Sequence, residues 1–338
     1  MADLRRWLEA DVGGVMDETA WRLRRVLPGQ WKARLRRIGQ EARLAQREAL
    51  YAARIGRADS FGSRIDGLQG WLFTNLDEAV ASYHWDVFAK ASQKRLAQRM
   101  GFDVPNTYRD GARLDEVFVA AEALDAFVIK PNSSHNGIAF RGLLRDGRYL
   151  RNVLSGTLRR PVVVREALRR EYAPLRRPDE WVLEELLRPP DGSARPVTDH
   201  KFYCFAGRAE LIYERSFVGG RERYLRQFFT RDWVPVNVGL NDHEVSVLTR
   251  PAEADALLAA AEAAAGALAY PFLRVDLYST SRGVVFGEFT PGIGRSHLFN
   301  DEWNARLVAR WDEAASAVLE RVRSGALRPL TAAGEVPA

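Results

Sequence analysis

The chain has 338 residues, 46% hydrophobic and 28% charged, which excludes a disordered chain and leaves room for one large or two modest cores. No apolar run approaches the ~20 residues of a membrane span, and the opening MADLRRWLEADVGG lacks the apolar centre of a signal peptide. A single cysteine, Cys204, excludes an internal disulfide framework, so the expected compartment is the cytoplasm.

The net charge of +6 is unevenly spread. Residues 21–60 carry eleven Arg or Lys against three acids, +8 in all, so the remainder is slightly acidic. Residues 3–10 and 20–58 read as helices: Leu23, Val26 and Leu27, then Trp31, Leu35 and Ile38, then Leu44, Tyr51 and Ile55 recur at helical spacing, with Pro28-Gly29 as a break. The basic face of these helices is either simply solvated or an arm for nucleic acid or anionic membrane.

From residue 86 the texture changes. KASQKRLAQRMG (90–101) reads as a helix closed by Gly101, VPNTY as extended, and 114–125 as helix. Strands are expected at AFVIKP (126–131), IAFRGLL (138–144), WVLEELL (181–187), DHKFYCF (199–205), AELIYERSF (209–217) and RYLRQFF (223–229). Turns at Asp146-Gly147, Ala206-Gly207 and Arg282-Gly283 suit hairpins. Helices are expected at 161–171, 251–269 and 300–322, with a Pro/Gly loop at 188–198. The chain is therefore expected to be α+β with antiparallel hairpins, and it has neither GxGxxG nor GxxxxGK[ST].

Three stretches carry chemistry. In FVIKPNSSHNG, Lys130 ends an apolar strand before a small polar loop, where Ser133, Ser134, Asn136 and Gly137 can cradle an anion; the plainer reading is a hairpin with an exposed lysine. In WVLEELL, Glu184 and Glu185 sit inside an apolar strand, and alternation directs them to opposite sides. In FLRVDLYSTSRGVVFGEFTPGIG, Asp276 and Glu288 lie on two strands joined by a turn near Ser281-Arg282. A hairpin brings them to one face, where with Thr290 they form an oxygen site for Mg²⁺ beside Arg274. The alternative is an internal salt bridge from Arg274 to Asp276 or Glu288. Arg295 and Ser296 follow the Pro291–Gly294 turn. Cys204 reads as a buried structural thiol, and the five histidines lack metal-ligand spacing.

In order and spacing, FVIKP with NSSHNG, WVLEELL, LRVDLY and FGEFT resemble the ATP-grasp superfamily. EELLRPPDG, TDHKFYCFAG and RVDLYST with VFGEFTPGIG resemble its TupA-like subgroup, associated with teichuronopeptide and cell-surface polysaccharide loci. The resemblance spans roughly residues 86–300. It implies two α+β subdomains sandwiching ATP, at 86–187 and 188–325, with a helical basic region at 1–85 and a tail at 326–338. It further implies phosphate contacts from Lys130 and from Lys90, with Lys94 as the alternate, and a mobile phosphate loop at 132–137. Glu184 or Glu185, with the backbone through Leu187, would hold adenine, and Asp199 and Lys201 would line the nucleotide site. Asp276, Glu288 and Thr290 would bind Mg²⁺, Arg274 would stabilise the acyl phosphate, and Arg295 and Ser296 would stand near the substrate. The implied activity is ligation of a small-molecule or peptide carboxylate to an amine; a small-molecule kinase, or a non-catalytic nucleotide-binding module with a basic arm, are the alternatives.

Overall fold

The computed structural model describes residues 60–76, 87, 90–132, 138–218, 223–239, 250–268, 270–293 and 299–326. The expected basic helices, the loop 133–137, Arg295 and Ser296 lie outside the described residues, as does the side chain of Lys90.

Two antiparallel sheets organise residues 58–338, which form one compact unit. The first sheet contains β1 (Thr107–Ala112), β2 (Ala126–Pro131), β3 (Arg141–Asp146), β4 (Tyr149–Asn152), β5 (Leu158–Arg159) and β6 (Trp181–Glu185), in the order β1-β6-β2-β3-β4-β5. Helices α4 (Leu114–Ala120) and α5 (Pro161–Tyr172) cover one of its faces. Their Leu114, Val117, Val164 and Leu168 bury Phe127, Ile129, Leu143, Leu150 and Leu183 of the strands, each such burial contributing roughly 1.5–3 kcal/mol. Period-2 alternation then places Val128, Lys130, Val182 and Glu184 on the other face.

The second sheet runs β10-β9-β8-β7-β11-β12, from β7 (Asp199–Phe205), β8 (Arg208–Val218), β9 (Arg223–Thr230), β10 (Pro235–Val236), β11 (Phe272–Thr280) and β12 (Gly283–Thr290). Helix α6 (Ala254–Gly266) packs on the face that carries Cys204, and α1 (Phe61–Asp66) covers Phe205 and Phe272 at one end of the opposite face; α7 (Asp301–Arg323), α2 (Leu68–Asn75) and α3 (Lys90–Arg99) join the same core. Helix α7 begins on Asn300, whose side chain accepts from the Trp303 N–H at 2.9 Å, with Asp301 and Glu302 in its first turn and Arg321 and Arg323 in its last. Both ends thus complement the helix dipole. Helix α3 closes as expected: Gly101 has φ +83°, and the Phe102 N–H reaches back to the Ala97 carbonyl.

Helices α1 and α2, expected from sequence in the N-terminal region, belong instead to the second sheet's core. Phe61 is fully buried among Phe205, Phe272 and Phe299, and three aromatic neighbours outweigh sequence proximity to the basic segment. Helix α3 is tied to the same sheet through Gln93, whose amide donates to the Phe289 carbonyl and accepts from the Phe289 N–H, like an added strand beside β12.

The β7–β8 hairpin shows why particular glycines are needed. Ala206 and Gly207 both have positive φ, as a tight two-residue turn requires, and a Cβ on Gly207 would stand 2.7 Å from the Gly266 Cα. Gly207→Ala is expected to cost about 2–4 kcal/mol of unfolding free energy, against about 1 for Gly147→Ala, which has positive φ but open space. Equal urea midpoints for the two variants would refute this packing argument.

Candidate active site

The face of the second sheet opposite α6 carries, beyond the Phe205–Phe272 end that α1 covers, a grid of charge set by strand register. One cross-strand row reads Phe228, Tyr213, Lys201, Asp276 and Glu288. The next row, towards the β11–β12 turn, reads Arg226, Arg215, Asp199 and Tyr278; the one on the other side includes Tyr203, Arg274 and Thr290. Asp276 and Glu288 are therefore direct partners across β11 and β12, on the same face. Asp276 is 2% exposed and Glu288 half-buried.

Asp276 is gripped from two sides. Arg274 donates to it through Nε at 2.6 Å and Nη2 at 2.8 Å, and Nη2 also donates to the Thr290 hydroxyl at 2.9 Å. Lys201 donates to the same carboxylate and lies 2.8 Å from Asp199 Oδ2, which Arg215 also reaches at 2.8 Å. The Arg274–Asp276 salt bridge that the sequence offers as the alternative to a metal is thus present. Burial works against the Arg274 charge, but the Asp276 carboxylate more than offsets it and holds the guanidinium protonated. Burial also pushes the Tyr203 and Tyr278 hydroxyls up, so both stay neutral.

The second charged group lies on the open face of the first sheet. Glu184, 5% exposed, receives Lys130 on one carboxylate oxygen and Lys94 on the other, and Lys94 also meets the Thr107 hydroxyl at 3.1 Å. Lys94 reaches Glu184 from α3, the helix that Gln93 fastens to the second sheet, so this triad links the two sheets. Glu185 points the other way: it accepts from the Asn106 N–H and from Arg282, each at 3.1 Å, where the β11–β12 turn meets the segment 103–106. Glu184 and Glu185 therefore do different work, one holding lysines and one joining sheets. Leu187 is buried.

Asp199 and Glu184 share a pH signature. Burial raises each carboxyl, but Lys201 and Arg215 hold Asp199 at about 2, and Lys130 and Lys94 hold Glu184 below the ordinary glutamate value. A depressed folded-state pKa contributes stability that is complete above the unfolded value and lost as pH falls through the folded one. Unfolding free energy is therefore expected to decline from about pH 4 towards pH 2, with about 2 kcal/mol of that decline due to Asp199. An Asp199→Asn variant with an equally steep acid limb would contradict this assignment.

Sequence reasoning ranked Lys94 behind Lys90, and only the tertiary contact with Glu184 singles it out. It did not find Arg215, although a hairpin centred on Gly207 pairs it with Asp199. Cys204 is buried and its thiol is pushed up by burial, which leaves it inert. His200 lies on the α6 face, 3.5 Å from Glu214, away from this grid. Among the described residues no three His, Cys, Asp or Glu side chains form a metal cluster, and no helix is long and apolar enough to cross a membrane.

A family model described as TupA-like ATPgrasp matches residues 124–310, more than half of the chain and all of the second sheet's grid. The chain belongs to the TupA-like ATP-grasp family. It is an ATP-grasp enzyme, and its two antiparallel sheets with flanking helices are the α+β subdomains of the ATP-grasp fold. A search of curated proteins finds no match. Similar solved structures include the D-alanine–D-alanine ligase of Bacillus anthracis (14% identity, 70% of this chain and 69% of that one, TM-score 0.41). Others are the ATP-grasp ligase PsnB complexed with minimal precursor (14%, 72% and 62%, 0.40) and the D-cycloserine synthetase DcsG (17%, 70% and 72%, 0.41). All three are too distant to bear on the substrate of this TupA-like enzyme.

Proposed function

We propose that this TupA-like ATP-grasp protein is an ATP-dependent carboxylate–amine ligase. The observation that carries the reading is the register pairing of Asp276 with Glu288, with Lys201 in the same row and Arg274 beside it. A substrate carboxylate attacks the γ-phosphate of ATP and gives an acyl phosphate and ADP. An amine then attacks the acyl carbon, and phosphate leaves as the amide forms. No protein nucleophile is required, in keeping with a buried Cys204.

The donor set fits magnesium. Asp276, Glu288 and Thr290 offer only oxygen, which suits an ion that takes one or two carboxylates plus water and substrate phosphates, with Arg274 yielding part of its hold on Asp276 and Thr290. Bound there, the ion would neutralise phosphate charge during transfer. The chain's own groups exchange partners: Lys130 and Lys94 pass from Glu184 to phosphate oxygens, and Lys201 passes from Asp276. Arg274, held protonated, stabilises the oxyanion of the tetrahedral species. Family membership supports an amino acid, a peptide or a uronic-acid-containing precursor as substrate. The test is ADP release against panels of amino acids and uronic acids, with products read by mass. An amide with free phosphate is expected; a phosphorylated product would make the enzyme a kinase and overturn the proposal.

A further inference from the structure

On the covered side of the first sheet, opposite the face that carries Lys130 and Glu184, a cavity of about 340 Å³ opens between α4, α5 and the β3–β4 turn. Its floor is apolar, from Phe118, Phe127 and Leu150, and its rim carries Arg145, Arg148 and Arg165 against Asp115 and Glu122. Apolar side chains continue from the mouth onto the surface: Val119 is 67% exposed, Val162 51% and Val163 44%. These are three of the seven large hydrophobics exposed among the described residues, which marks a surface that something covers.

The charges decide what covers it. Arg145 is committed to the carbonyls of Ala121 and Leu124, and Arg165 to Asp115, which Arg169 also neutralises. Arg148 lies over the Tyr149 ring, and Arg159, in register with Leu150 on the cavity side of β5, donates only to its own strand's backbone. Neither has a carboxylate partner among the described residues, and α5 starts here with no acid in its first turn. With Arg159 the rim holds four arginines against Asp115 and Glu122, a net charge of +2, while its floor and lips are apolar. A small ion would leave the valines uncovered, and an apolar chain would leave the arginines unpaired. We infer that this groove docks an acidic polypeptide segment that inserts an apolar side chain between α4 and α5, with its carboxylates on Arg148 and Arg159. The site is separate from the nucleotide face, so it would tether a partner or substrate chain without touching the reacting groups.

Fluorescence anisotropy tests this on the full chain, with a labelled glutamate-rich octapeptide containing one leucine and one phenylalanine, and a lysine-for-glutamate counterpart. The acidic peptide is expected to bind and the basic one not. Arg148→Glu and Val162→Asp, both at exposed positions, should each weaken binding by about tenfold or more, while Lys130→Ala should leave it unchanged. Wild-type affinity in both groove variants would overturn the proposal, since the basic segment 21–60 would then be the acceptor. Loss of a dimer on Val119→Asp in sedimentation would also overturn it, because a second copy would then cover the groove. Nucleotide binding that persists while peptide binding fails would sink this inference alone and leave the ligase reading standing.

Discussion

Replacing Asp276 with alanine should abolish ADP release and also lower the unfolding free energy by about 3–5 kcal/mol. Both effects have one cause. Asp276 is the buried anion that satisfies Arg274 and Lys201 at once, and removing it leaves the largely buried Arg274 without a carboxylate and Lys201 with Asp199 alone. Since a stability loss of that size can mimic a catalytic one, Glu288→Gln separates them. Glu288 is half-buried, so its amide variant should melt within about 1 kcal/mol of wild type yet lose about 10²-fold or more in turnover. Normal ADP release by either variant would refute the assignment of this pair to the phosphate-transfer centre.

Gly287→Ala should lower turnover by about 10²-fold while leaving nucleotide binding at Lys130 in place. Gly287 acts through its neighbour Glu288. The turn at Ser281-Arg282 pairs Thr280 with Gly283, and the ladder continues in step to Leu277 with Phe286. One more step at the same count would set Gly287 opposite Asp276 and turn Glu288 to the far face. Instead a bulge intervenes, and Glu288 becomes the partner of Asp276. The bulge residue has little room: a Cβ on Gly287 would lie 2.8 Å from the Tyr278 ring and 3.0 Å from the Asp276 carbonyl. Alanine must either push Tyr278 aside or undo the bulge, and either outcome moves Glu288. A Gly287→Ala enzyme with wild-type kcat and KM would show that the register is held by something else.

Much of this protein was legible in its sequence because the period of two is a local property. Runs such as AFVIKP and DHKFYCF give their strands to the residue, and Gly147, Gly207 and Gly283 mark hairpins whose turns need positive φ. The ordered set of Lys130, Glu184, Arg274, Asp276 and Glu288 carried the family, since strand chemistry of that kind leaves a readable pattern of charge among apolar neighbours. What sequence could not supply was every fact that depends on a partner distant in the chain. Lys94 joins Lys130 only because α3 is fastened to β12 through Gln93, and α1 joins the second core only because Phe61 finds three aromatic rings there. Above all, alternation alone assigns a side to each residue but does not count an inserted one. Whether Asp276 and Glu288 share a face was settled by the bulge at Gly287, which exists because strand pairing, the Tyr278 ring packed against it and the lack of a Cβ together favour that register.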